Sequence, residues 1–241
     1  MIRIGIVGSE GAMGGALRDV IGQSEADFAG GVDRGGNVGA LASESDVLID
    51  FSAPAALQTT LDAAREGGIP LVVGTTGLES AHHAAIDAAA KDIAVLQTGN
   101  TSLGVTLLAH LVREASSRLG EDWDIEILEM HHRRKVDAPS GTALLLGEAA
   151  ARGRGIEIGE HTESGRDGKG KRTPGAIGFA ALRGGTVAGE HSVILAGNEE
   201  RLTLSHSAEN RLVFARGAVR AAGWLIGKTA GRYTMDEVLG L

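Results

Sequence analysis

"IRIGIVGSEGAMGG", Ile2–Gly15, runs a short apolar stretch into a glycine-rich turn, and an amphipathic pattern then continues from Met13 to Ile21. Apolar residues in succession, rather than alternating with polar ones, predict a strand buried on both faces, the state of a strand inside a parallel sheet. Gly8, Gly11 and Gly14 fall at the strand-to-helix junction. Glycines there let the backbone approach a pyrophosphate, whose charge rests on free N–H groups and the helix dipole. The spacing is GxxGxxG and not GxGxxG, because Glu10 takes the place of the middle glycine. Immediately outward, "ADFAGGVDR" supplies a second strand, and Asp33 at its predicted end has the spacing of a ribose-binding carboxylate. Asp33 suits the hydroxyls of NADH, whereas Arg34 suits the additional phosphate of NADPH. Glu10 disfavours the more anionic cofactor, so NADH is favoured between the two.

The same alternation continues through the first hundred residues. "DVLIDFS" (from Asp46), "PLVVGTTG" (from Pro70) and "IAVLQTGN" (from Ile93) read as strands, with helices expected over Pro54–Glu66 and Glu79–Lys91. Strands alternating with helices predict an α/β doubly wound parallel sheet. Ligands of such sheets bind beyond the carboxyl ends of the strands. Three polar turns lie there: Asp50-Phe51-Ser52, Gly74-Thr75-Thr76-Gly77 and Gly99-Asn100-Thr101-Ser102. Ordinary turn and N-cap chemistry would use the same residue types.

After Asn100 the pattern changes. Leu103–Leu119 predicts a long amphipathic helix, "DWDIEILEMHH" a half-buried strand, and Ser140–Arg152 a further helix. Gly153–Gly175 is glycine-rich and charged, and is expected to be a loop. "AIGFAALR", "TVAGEHSVILA" and "RLTLSHSA" then predict an antiparallel or mixed sheet, and Leu212–Ile226 a closing helix. An inserted α+β unit, with the last helix returning to the first domain, accounts for this order.

Composition narrows the function classes. A net charge of −8 and 3% aromatic content disfavour nucleic acid and anionic membrane as partners, since basic fields and stacking platforms are both lacking. The absence of cysteine excludes disulfides, thiolate metal sites and thiol nucleophiles. No basic leader precedes the glycine loop and no apolar run would span a bilayer, so the expectation is a cytoplasmic protein.

Against this background "EMHHRRKVDAPSGTA", Glu129–Ala143, concentrates titratable chemistry. A histidine can supply the proton that must follow hydride addition to an unsaturated or imine-like acceptor. His131 and His132 would point to opposite faces of a strand, so they share one role only if the strand ends there. Lys135 carries a point charge for a carboxylate or a developing anion. Ser140 is a natural N-cap, and the backbone N–H groups of Ser140, Gly141 and Thr142 would seat an anion. Two cationic devices facing one site suit a small dicarboxylate. The alternative is a solvated basic loop in which Arg133 and Arg134 merely face water. No spacing with other histidines or acids suggests zinc, and no metal is expected. His82 and His83 read as surface residues, while His110, His161, His191 and His206 are isolated.

The cluster closely resembles the signature E-x-H-H-x-x-K-x-D-A-P-S-G-T-A of the dihydrodipicolinate reductase family of lysine and diaminopimelate biosynthesis. The glycine loop with Met13-Gly14, Asp50-Phe51-Ser52 with Pro54, Gly74–Gly77, Asn100–Ser102 and "NRLVFARGAVRAAGWL" extend that resemblance over nearly the whole chain. It implies His131 as the proton donor working with Lys135, and substrate carboxylates held by His132, Lys135, Gly141 and Thr142, to which the N-cap reading adds Ser140. It implies a cofactor, NADH or NADPH, lined by Gly8, Ser9, Glu10, Gly11, Ala12, Met13, Asp33, Arg34, Phe51, Gly74, Thr75, Thr76, Gly99, Asn100, Thr101 and Ser102. It further implies a Rossmann-type domain over 1–102 plus 211–241, a substrate-binding domain over 103–210, and a homotetramer assembled through that second domain's sheets. Glu10, Ala12 and Thr101 depart from the common family pattern, where glycine, arginine and an aromatic respectively are usual. The short span between Asp33 and Asp50 implies a trimmed loop.

Overall fold

The computed structural model describes residues 1–241, the side chain of Glu160 excepted. Two compact units divide the chain, Met1–Leu103 with Arg211–Leu241, and Gly104–Asn210.

The first unit opens β1 (Arg3–Val7), α1 (Ala12–Ile21), β2 (Asp27–Val32), with a short α2 (Val38–Ser43) before β3 (Val47–Asp50). A 3-10 turn at Pro54–Ala56 leads into α3 (Leu57–Gly67), then β4 (Leu71–Val73), α4 (Ser80–Ala89) and β5 (Ala94–Gln97). Six strands form one all-parallel sheet in which β2 and β3 flank β1, followed outward from β3 by β4, β5 and a last short strand, Gly231–Tyr233. The strand order therefore reverses at β1, which opens a crevice beyond the ends of β1 and β3. One face of the sheet, through Ile4, Ile6 and Ile49, packs on α1 and on the helix Leu212–Leu225; the other, through Val7, Leu48, Leu71 and Val73, packs on α2, α3 and α4. Each fully buried aliphatic side chain is worth about 1.5–3 kcal/mol. This doubly wound layering is what the consecutive apolar runs predict.

The second unit holds α5 (Leu103–Leu119), β6 (Asp124–His131), α6 (Gly141–Arg154), β7 (Thr162–Ser164), β8 (Ile177–Arg183), β9 (Gly189–Ala196) and β10 (Arg201–Ala208). Its five-stranded sheet is mixed: β6 is central, antiparallel to β9 and parallel to β8. One sheet face is covered by α5 and α6, and Leu128 and Leu182 stay exposed on the other. Within Gly153–Gly175, expected to be loop throughout, the structure places the end of α6, a 3-10 turn and β7. β7 is three residues long and exists through its pairing with β8. The chain then returns to the first unit with α7 (Leu212–Leu225), β11 (Gly231–Tyr233) and α8 (Met235–Leu239).

Candidate functional site

The glycine loop follows β1 with Gly8 at φ +88°, a conformation that favours glycine. A Cβ at Gly8 would fall 2.6 Å from the Phe51 carbonyl oxygen, and one at Gly14 would fall 2.3 Å from the Ser9 carbonyl oxygen. The loop is thus pressed between β3 and the first turn of α1. Ser9 Oγ donates to Asp33 Oδ2 at 2.6 Å, and the Glu10 N–H donates to the same oxygen at 3.1 Å. Asp33 is thereby held at the rim with lone pairs left to accept further donors. A cleft of about 460 Å³ lies here, lined by Gly8, Gly11, Asp33, Arg34, Phe51 and Ser52 among others. Glu10 faces outward and pairs with Arg18 at 3.5 Å. Ala12 is exposed and Met13 packs on the core.

At the next strand ends the side chains lock the loops to one another. Asp50 is fully buried, and its Oδ1 accepts from Ser52 N–H, Ser52 Oγ and Thr75 Oγ1 at 2.8, 2.6 and 2.9 Å. Gly74 lies under the Phe51 ring, where a Cβ would meet ring carbons at 2.3 Å. Thr76 and Gly99 are exposed, and Asn100 is half-buried. Thr101 and Ser102 are buried, and the Thr101 hydroxyl donates to the Phe214 carbonyl of α7 at 2.7 Å. Neither lines the cleft that holds Asp33 and Phe51.

In the second unit, alternation along β6 puts Ile125, Ile127, Glu129 and His131 on the face toward α5 and α6. Pairing brings Ile177, Phe179 and Arg183 of β8, and Leu195, Val193, His191 and Gly189 of β9, to that same face. Each strand begins or ends this face in apolar core and carries its polar residues at one common end. β6 stops at His131. His132 therefore leaves the strand, its N–H donating to the Val187 carbonyl at 2.8 Å, and its buried Nδ1 has no partner among the described residues.

His131 is 8% exposed, and its Nδ1 lies 2.6 Å from Glu129 Oε2, within hydrogen-bond distance. Arg183 reaches the same carboxylate through both terminal nitrogens, at 2.7 and 2.8 Å. Burial alone would push the Glu129 carboxyl up; the hydrogen bonds and charges of Arg183 and His131 outweigh it and hold it below the ordinary carboxylate range. Ser140 caps α6, its Oγ accepting from the Ala143 N–H at 3.2 Å. Its own N–H goes to Glu129 Oε1 at 3.0 Å, so this donor, expected in the anion seat, serves the carboxylate instead. Of the expected seat this leaves the start of α6 at Gly141 and Thr142, and a Cβ at Gly141 would meet nothing within 4 Å. Lys135 Nζ lies 2.9 Å from Asp137 Oδ1, whose carboxyl is held low first by that hydrogen bond.

His191, read from sequence as isolated, packs its ring edge-on to His131 with centroids 5.1 Å apart, and its Nε2 lies 3.1 Å from Ser140 Oγ. Its pKa is pushed down to about 4, first by burial and then by the neighbouring His131. Glu129, Arg183 and His191 are the site residues without an expected role. The E-x-H spacing in a strand would have placed Glu129 beside His131; Arg183 and His191 arrive through strand register, which leaves no local signal. Among the described residues no group of three His, Asp or Glu is placed to hold a metal, and no helix is long and apolar enough to cross a membrane.

A family model described as the N-terminus of dihydrodipicolinate reductase matches residues 2–101, and one described as its C-terminus matches residues 104–239. A 4-hydroxy-tetrahydrodipicolinate reductase of Zymomonas mobilis is 50% identical over 248 residues, covering 100% of this chain and 98% of its own. That of Caulobacter vibrioides is 49% identical over 251 residues, covering 99% and 97%. A solved dipicolinate-bound dihydrodipicolinate reductase from Paenisporosarcina sp. TG-14 shares the fold, with a TM-score of 0.79 at 21% identity and 98% of each chain covered. With nearly its whole length matched by the two family models and relatives at half identity, this chain belongs to the dihydrodipicolinate reductase family.

Proposed function

We propose that this chain reduces 4-hydroxy-tetrahydrodipicolinate to tetrahydrodipicolinate with NADH or NADPH, His131 supplying the proton. The observation that carries this reading is a buried histidine hydrogen-bonded to a carboxylate that also holds the N-cap of a helix. Loss of the substrate's hydroxyl as water leaves a C=C conjugated with the ring C=N. Hydride at the far carbon moves an electron pair toward nitrogen, and a proton on the intervening carbon restores the imine. Glu129 accepts the Nδ1 hydrogen of His131, which leaves Nε2 as the atom that transfers the proton. The start of α6, His132 Nδ1 and Lys135 are the groups for the two substrate carboxylates.

The first unit fits a dinucleotide: only a residue without a side chain is accommodated at Gly8, and Asp33 stands ready at the rim for ribose hydroxyls. When bound, the dinucleotide supplies the hydride. Gly74–Thr76 and Gly99–Ser102 are assigned to the same cofactor. Asp33 and Glu10 repel the phosphate that distinguishes NADPH, and exposed Arg34 attracts it, so NADH is the better substrate of the two. Exposed Leu128 and Leu182 on the outer sheet face support a homotetramer assembled through that face. The step belongs to lysine and diaminopimelate biosynthesis, and we place it in the cytoplasm.

A coupled assay, in which dihydrodipicolinate synthase generates the substrate while NADH and NADPH oxidation are followed in parallel, tests this. Oxidation of both that requires the synthase, with higher kcat/KM for NADH, is expected. Tight NADH binding without turnover would point instead to a dinucleotide sensor, and oxidation with other imines only to a different reductase.

A further inference from the structure

The Glu129 carboxylate is 1% exposed, yet each of its oxygens accepts two hydrogen bonds. Oε2 takes His131 Nδ1 and one Arg183 nitrogen; Oε1 takes the other Arg183 nitrogen and the Ser140 N–H. Its acceptor capacity is filled. From this arrangement we infer that Glu129, clamped by Arg183, is a positioning residue that fixes the ring plane and tautomer of His131 and ties the proton donor and the α6 anion seat to one rigid group. The inference rests on the reading of His131 as proton donor.

Three further observations carry it. An ionised carboxylate can only accept, so the nitrogen facing it must bear hydrogen, and the tautomer follows from the network. Arg183 makes a two-nitrogen fork to the carboxylate while also donating to the Asp137 carbonyl at 2.6 Å, which binds β6, β8 and the loop before α6 together. Finally, a Cβ at position 189 would lie 3.0 Å from His131 Nε2, so glycine on β9 keeps the transferring nitrogen uncrowded.

Fold stability is a poor reason for this arrangement. Burying an ion pair is often no better for stability than apolar packing of the same volume, and here apolar residues already fill the same sheet face one turn of the pleat away, at Ile127, Phe179 and Val193. The polar substitution is confined to the strand ends that meet His131.

The test compares wild type, Glu129→Gln, Arg183→Lys and His131→Gln in the synthase-coupled assay, together with ¹⁵N NMR of histidine-labelled protein. For Glu129→Gln, kcat is expected to fall about 100-fold or more, toward the roughly 10⁴-fold seen when a catalytic histidine loses the carboxylate that sets its tautomer. Arg183→Lys keeps the charge but not the fork, and a fall of about tenfold is expected, with NADH affinity unchanged. In wild type the His131 resonances should show hydrogen on Nδ1 in a strong hydrogen bond, altered in Glu129→Gln. A purely architectural role would lower folded yield without moving that signature or separating kcat from NADH affinity. Near-normal kcat in Glu129→Gln and Arg183→Lys, with turnover lost in His131→Gln, would overturn the positioning role and leave His131 as donor. Near-normal turnover in His131→Gln would remove the underlying reading and this inference with it. Should Glu129→Gln fail to fold, Arg183→Lys and the wild-type spectrum decide: hydrogen on Nε2 alone in neutral wild-type His131 would overturn the inference.

Discussion

His191 lies 4% exposed against the edge of the His131 ring, and burial keeps it neutral down to about pH 4. Unfolded, it would titrate near the ordinary value of 6.5. Between those two values the unfolded chain binds a proton that the folded chain does not, so the stability this residue contributes is intact above pH 6.5 and is lost progressively as pH falls toward 4. Wild type should therefore lose about 2 kcal/mol more than His191→Gln on going from about pH 7 to about pH 5. Urea unfolding at the two pH values measures this, and parallel losses in both proteins would contradict it. The same neutrality suits the site. An uncharged His191 touches Ser140 and His131 without adding a further cation beside the Arg183 guanidinium and the proposed proton donor. The residues around His131 thus divide the electrostatics among them, with Glu129 accepting, Arg183 compensating and His191 staying neutral.

Helix α1 and the loop before it meet backbone to backbone at Gly14. An added methyl there would sit 2.3 and 2.4 Å from the Ser9 and Gly8 carbonyl oxygens, whereas one at Gly15 would meet nothing within 4 Å. Gly14→Ala should cost about 1–3 kcal/mol as the helix is forced outward, and should weaken NADH binding. Gly15→Ala should stabilise by up to about 1 kcal/mol, since alanine is the better helix former. Thermal unfolding and NADH titration of the pair check this, and equal effects at both positions would contradict it. The longer elements and the buried strands were plain in the sequence: consecutive apolar residues in β1, β3, β4 and β5, and the 3.6-residue period in α5 and α7. The short ones were not. α2 has only six residues and depends on Asn37, whose side chain accepts from the Ala40 N–H. β11 has three and is held by pairing with β5 and by Tyr233 packing edge-on against Trp224. In the candidate site, the strand end, the cap at Ser140 and the titratable cluster were legible locally. Arg183 and His191 were not, because they are distant in sequence and converge only through the register of β8 and β9 on β6.

At the scale of the whole molecule, an acidic protein of net charge −8 would bind the proposed dicarboxylate against its own field. The devices proposed for it are short-range: the first turn of a 14-residue helix, a lysine fixed by Asp137, and a histidine hydrogen-bonded to a buried carboxylate. In the proposed assignment each unit carries one part of the chemistry at a sheet edge, the dinucleotide at the reversal of strand order in the first and the proton donor at the end of β6 in the second. The two assignments are separable by experiment, because a variant in the second unit should leave dinucleotide binding in the first intact. The most direct test is steady-state turnover of His131→Gln with synthase-generated substrate, alongside its NADH dissociation constant. With His131 as proton donor, kcat falls by about two orders of magnitude or more while NADH affinity stays at the wild-type value. Turnover close to wild type would contradict that role.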